Sequence, residues 1–567
     1  MSQPVAALSR SWSAALPVSN SPAARNFFLL TAAITIAVML GAAYFPVARG
    51  LTSIFVTLFI RLDYWASIGL LLLIIAAVFI PDRLPYKMLL LWIADHPRVI
   101  AAATAVVLCA GSLLIYQNHP LAMDEYVQLL QSQIFAGGQL SGRFPPTLLN
   151  WLIPQGFQNY FLVVSAQTGA VASNYWPSFA LLLAPFSFLG IPWACNPLIS
   201  AATLIVIHRL ALRIFNDREV AGLAVLLTLA SPVFFCNGIS YYSMPAHLLA
   251  NSLYALLLTQ PTQRSAFAAG LVGSVALTLH NPVPHLLFAL PWLVWLATRP
   301  HRIQLLVSIA AGYAPLCLLL GFGWFWFTGE LRQSALQASA AAEIQLEQVA
   351  RLSQAFGPPD RFVLLARLVG LAKMWVWAVP GLLLLAATGA WNRRDNIFCR
   401  LLVYSALATL VGYLFVPVDQ GHGWGFRYFH SAWLTMPLLG AAASKNDATR
   451  SFVVGCALLT LVFGIGFRAW QVHDFVADDL AQVPAYSGTE RRVIILDPRA
   501  SYYGADLVQN DPWLRGKIIR MITRGTADDE AMMHDHFPDM HRVYSDEYGT
   551  VWSAAPVYIR SSGHKTK

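Results

Sequence analysis

The sequence predicts an all-α polytopic membrane protein of about thirteen transmembrane helices, with a small α/β extracytoplasmic domain at its C-terminus. Three observations carry this. Of 567 residues, 57% are hydrophobic and only 11% charged, and the mean hydropathy of +0.56 is far from that of soluble chains. Apolar runs near bilayer length recur along most of the chain, and the tail after His473 turns to mixed polar and aromatic sequence.

The first apolar run, Phe27 to Val47, is longer than a signal-peptide core and has no small-residue cleavage site, so it is read as a retained span. Further spans are expected at 64–80, 98–117, 195–213, 220–236, 244–259, 265–280, 284–298, 303–327, 371–391, 399–417, 430–444 and 451–469. Trp176 to Ile191 is also apolar, but Pro177, Pro185 and Pro192 punctuate it, which suits a re-entrant or surface-lying helix. With that choice the basic loops fall on one face: Arg83, Lys87 and Arg98, then Arg209 to Arg218, Arg264, Arg299 and Arg302, Arg393 to Arg400, and Lys445 with Arg450. By the positive-inside rule that face is cytoplasmic. This bias accounts for much of the net charge of +9, which therefore implies no nucleic acid partner.

Three regions follow: 1–97 with extra transmembrane helices, 98–470 as a transmembrane core with a first outer loop at 118–194, and 471–567 as a soluble extracytoplasmic domain. In the last, Val493-Ile494-Ile495-Leu496 before Asp497-Pro498 reads as a strand running into a turn. The six cysteines are scattered through apolar surroundings without CxxC or Cys/His spacing, so neither a structural zinc nor a disulfide framework is expected.

The polar residues of interest gather on the outer face. Asp124 and Glu125 stand side by side a few residues after the apolar stretch Val99 to Tyr116, where adjacent carboxylates suit a general base as well as an ordinary helix start. The spacing from Asp124 to Phe135 predicts a short amphipathic helix ended by glycine. Tyr175, His247, His280, His285 and His422 map to the same face as substrate-binding candidates, although each histidine taken singly also suits an interfacial helix end. Arg427, flanked by Trp424, Phe426 and Tyr428 after Gly421, Gly423 and Gly425, suits close approach to a phosphate; an aromatic-belt anchor is the plainer reading. Arg361 and Lys373 are further cationic candidates, and the polar stretch Thr328 to Gly370, with Glu343, Glu347 and Arg351, is long enough for an ordered lid or a solvated helix.

The Asp124-Glu125 pair, Tyr175-Trp176-Pro177-Ser178 with Leu181 to Pro185 and Gly190, the span ending at Arg209 to Arg218, and Gly423 to Tyr428 resemble the GT-C superfamily of membrane glycosyltransferases. Within it they resemble especially the bacterial relatives of protein O-mannosyltransferases and lipid A aminoarabinose transferases. The resemblance covers about residues 98 to 470. It implies a sugar donor linked to a polyprenyl phosphate, a lipid, glycan or protein acceptor, Asp124 as the catalytic carboxylate with Glu125 second, and residence in a bacterial inner membrane. Trp176-Pro177 and Phe426 depart from the family pattern, which leaves the acceptor open. No cofactor is expected, since the first outer loop has no DxD signature, although Asp124-Glu125 with help from Asp419 or a histidine would suit a divalent ion. A secondary transporter would show inverted repeats and charge near the midplane, and an O-antigen-type polymerase or ligase would lean on Arg and His more than on an early acidic pair.

Overall fold

The computed structural model describes residues 22–44, 53–79, 85–333, 356–443, 447–484, 490–500 and 503–554. Arg83, Glu343, Glu347, Arg351 and Lys445 lie outside the described residues, as does the end of the first apolar run. Seven described helices are long and apolar enough to cross a bilayer: Pro22–Tyr44, Ile54–Val78, Pro97–Leu114, Pro192–Phe215, Arg302–Arg332, Ile397–Phe415 and Asp447–Leu480. An eighth would be Arg218–Leu229 with Pro232–Gly238, bent by 61°. Pro232 starts the second piece and has no N–H to continue the first.

The protein is thus a multi-pass helical membrane protein in which several expected spans are shorter or broken. Met244–Leu258, Val283–Leu296 and Leu382–Asn392 are apolar but shorter than full spans. The run at 371–391 divides into Arg361–Val376 and Leu382–Asn392, parted at Gly381, whose φ of 75° only glycine adopts readily. The run at 430–444 yields one turn, Arg427–His430, and the short helix Thr435–Ala441. Hydropathy measures apolar length and is blind to such breaks. Exposed Leu72, Val106, Ile303, Leu319 and Val462 on the long helices would be penalised in water and suit hydrocarbon.

The chain forms two compact units. The first comprises Met1–Ile115, Asn196–Leu318 and Glu347–Val472 and is helical. Its helices approach to backbone contact where glycines permit it. A Cβ on Gly270 would lie 2.2 Å from the Ile309 carbonyl oxygen and one on Gly312 2.2 Å from that of Phe267, so helices Gln263–Leu277 and Arg302–Leu316 pack with no side chain between them.

The second unit comprises Tyr116–Cys195, Leu319–Leu346 and His473–Lys567. Strands β1 (Gly142–Arg143), β2 (Leu162–Val164) and β3 (Ala170–Ser173) form an antiparallel sheet in the order β1-β3-β2. The tail supplies β4 (Arg492–Leu496), β5 (Ile518–Ile522), β6 (His541–Asp546) and β7 (Gly549–Ser553), ordered β5-β4-β7-β6. Only β4 and β5 run parallel, and helix Thr526–His536 lies between β5 and β6 in sequence. Val493 and Ile495 on one face of β4 join a core with Ile519, Met521, Met123, Val127 and Leu130; Ile494 and Leu496 on the other face pack with Leu507, Val508 and Val551. Burial of both faces is why the stretch Val493–Leu496 of this strand is uniformly apolar. The outer loop and the tail therefore share one hydrophobic core.

Gly270→Ala is expected to destabilise the membrane unit by about 1–3 kcal/mol through overpacking, whereas Gly41→Ala, where a Cβ meets nothing within 4 Å, is expected to be near neutral. Thermal unfolding of detergent-solubilised protein checks the contrast.

Candidate functional site

The acidic pair divides its labour. Helix Met123–Ala136 places Asp124 and Glu125 in its first turn and ends at Gly137, with Gly138 at φ 71°. Glu125 is fully buried. Its carboxylate accepts from the Tyr116 hydroxyl at 3.0 and 3.1 Å and from the Leu121 N–H at 2.9 Å, closing the turn that leads into the helix. Asp124 is half-buried, and the Tyr175 hydroxyl donates to its Oδ1. Tyr175 follows β3, which Gln131 ties to the same helix by accepting from the Ser173 N–H at 2.9 Å. Beside Tyr175, Asn174 accepts from the Arg332 guanidinium. The structure thus brings Asp124 and Tyr175 together and gives Glu125 a structural part.

One carboxylate near Asp124 comes from the tail. Asp506 Oδ1 accepts the Met123 N–H at 2.7 Å. Burial pushes its carboxyl up to about 7, and the negative charges of Asp479 and Asp124 add to the rise. Asp479 in turn lies 3.6 Å from His119 Nε2. These residues escape a sequence reading because isolated acids in a polar tail form no pattern. Among the described residues, no group of three or more His, Cys, Asp or Glu side chains has the geometry to hold a metal ion.

In the membrane unit, Arg427 starts the turn Arg427–His430. Its N–H donates to Gln420 Oε1 at 2.7 Å and its guanidinium donates to the Gln420 carbonyl, lying 4.5 Å from the centre of the Tyr242 ring. Gly423 makes this possible: a Cβ there would meet the Arg427 side chain at 2.3 Å. Gly423 therefore lets the arginine pack against its own loop. His422 joins the group through a 2.8 Å hydrogen bond between its Nδ1 and the Tyr242 hydroxyl.

The other candidates scatter. His285 bridges Asn251 and Tyr313, each at 2.7 Å, and His247 is fully buried near His280, His285 and His430. Arg361 is exposed at the start of its helix. Lys373 is buried and bonds Asp63 at 2.7 Å; the same carboxylate takes Arg468 and the Trp377 indole, each at 2.7 Å. Arg367 donates to the Tyr413, Val416 and Val418 carbonyls, bracing the chain after helix Ile397–Gly412.

Asp506 has a folded value above that of the unfolded chain, so the protein binds its proton more tightly when folded. Its contribution to stability is present below about pH 4 and declines as pH rises to about 7. Asp506→Asn is expected to remove that part of the slope, measured by thermal unfolding between these limits.

No protein-family profile matches the sequence, and no curated protein matches it. Solved structures do match. ArnT from Cupriavidus metallidurans bound to undecaprenyl phosphate aligns with a TM-score of 0.50 at 12% identity, covering 81% of this chain and 98% of that one. The same enzyme in its apo state gives 0.49 at 11% identity, covering 81% and 97%. Likeness at such identity bears on fold alone, and the chain has the fold of ArnT.

Proposed function

We propose that the protein is a glycosyltransferase that moves a sugar from a polyprenyl-phosphate-linked donor to a lipid, glycan or protein acceptor at the outer face of the bacterial inner membrane. The observation that carries this reading is a half-buried carboxylate, Asp124, oriented by Tyr175 on a fold shared with ArnT across 98% of that chain. That neighbour was solved with undecaprenyl phosphate bound, which supports a donor of the same lipid class. The extent of the fold match also favours a transferase over a transporter.

In the proposed reaction the acceptor hydroxyl attacks the anomeric carbon, its proton passes to Asp124, and the bond from that carbon to the phosphate oxygen breaks. The polyprenyl phosphate leaves with the electron pair. Charge develops on the departing oxygen, where a guanidinium is the fitting partner. A single displacement inverts the anomeric centre. Glu125 is too fully engaged with Tyr116 and Leu121 to serve as the base.

Transfer of radiolabelled sugar from polyprenyl-phosphate donors, in membranes with matched expression, is expected to fall by about 10²- to 10⁴-fold in Asp124→Asn. Undiminished transfer by that variant would place the base elsewhere, and retained anomeric configuration would exclude the single displacement. Metal independence is also proposed: EDTA should leave transfer unchanged, and loss restored by magnesium or manganese would refute it.

A further inference from the structure

We infer that the tail segment Asp506–Asn510 is a positioning clamp for the catalytic carboxylate, with Asp506 capping the helix that carries Asp124. The inference rests on the proposed role of Asp124 as base. Helix Met123–Ala136 begins after Ala122, which has no side-chain oxygen to accept the first backbone N–H groups. Asp506 supplies that oxygen from nearly four hundred residues away in sequence, accepting from Met123 at 2.7 Å with a separation of 383 positions.

Three more bonds surround it. Gln509 Nε2 donates to the Pro120 carbonyl at 2.7 Å, and the Tyr126 hydroxyl donates to the Asn510 carbonyl at 2.6 Å while accepting the Asn510 N–H at 2.8 Å. The held positions, 120, 123 and 126, bracket Asp124 on both sides. The clamp is itself anchored. Asn510 exchanges hydrogen bonds with the backbone of Arg520 on β5 at 2.8 and 2.9 Å, and Leu507 and Val508 are buried against Ile494 and Leu496 of β4. Asp124 is therefore referenced to the tail's sheet through hydrogen bonds between side chains and backbone. Asp506 touches no reacting atom in this scheme; it acts through the helix start.

The test uses full-length protein in membranes, comparing Asp506→Ala and Asp506→Asn with Gln509→Ala and with Asp124→Asn as reference. Asp506→Ala is expected to lower kcat by about tenfold to a hundredfold with KM for the donor unchanged. Asp506→Asn, which keeps an Oδ1 acceptor, is expected to recover most of that loss. Hydrogen exchange over 120–126 should quicken in Asp506→Ala, and less so in Gln509→Ala, while 492–496 stays protected. If Asp506→Ala does not fold, Gln509→Ala decides by the same two readouts. Wild-type exchange over 120–126, or wild-type kcat in the clamp variants while Asp124→Asn is inactive, would overturn the clamp and leave the base assignment standing. A fully active Asp124→Asn would remove the base assignment, and with it the clamp's catalytic purpose.

Discussion

A charge withdrawn from water must be matched by partners, and this constraint decides which polar residues of the chain are structural. Asp63 is the strictest case. It is fully buried, and it gathers Lys373, Arg468 and the Trp377 indole at 2.7 Å each. Arg468 also bonds Gln471 at 3.0 Å and lies 3.9 Å from the centre of the Trp377 ring. Removing one member of such a group typically costs about 3–5 kcal/mol, because a buried charge is left alone. The cluster thereby fixes helices Ile54–Val78, Arg361–Val376 and Asp447–Leu480 to one another in the membrane unit. Lys373 belongs to that frame.

The same rule separates the neighbours Asp124 and Glu125. Glu125 is closed in by a hydroxyl and a backbone N–H, and its carboxylate is committed to the turn it completes. Asp124 is held by Tyr175 yet keeps part of its surface open. The base role proposed for Asp124 draws on that orientation set in advance.

Much of the fold was legible because hydrophobic length is a strong signal. The membrane class, the helix from Asp124 to Phe135 and the strand at 493–496 all follow from apolar periodicity and turn chemistry. Span boundaries were less legible, because Pro232 and Gly381 interrupt helices without lowering hydropathy. The glycines near Arg427 suggested close approach to a phosphate, whereas the group that approaches Gly423 is the arginine's own side chain. Asp506 was illegible as a ligand of the helix, although Ala122 at the helix start left a readable gap: a missing cap that some distant acceptor had to fill.

That missing cap bears on what the tail is for. Its strands place Val493, Ile495, Ile519 and Met521 in the same core as Met123, Tyr126, Val127 and Leu130 of the outer loop. The loop and the tail bury these apolar faces against each other, as packed layers around one core. A helix of 14 residues with no cap of its own frays readily at its first turn, which is where Asp124 sits. The shared core supplies the free energy that holds the turn, and the hydrogen bonds from Asp506, Gln509 and Asn510 give it direction. On this argument the tail is part of the machinery that aims the carboxylate, and its sheet is the rigid body against which that aim is set.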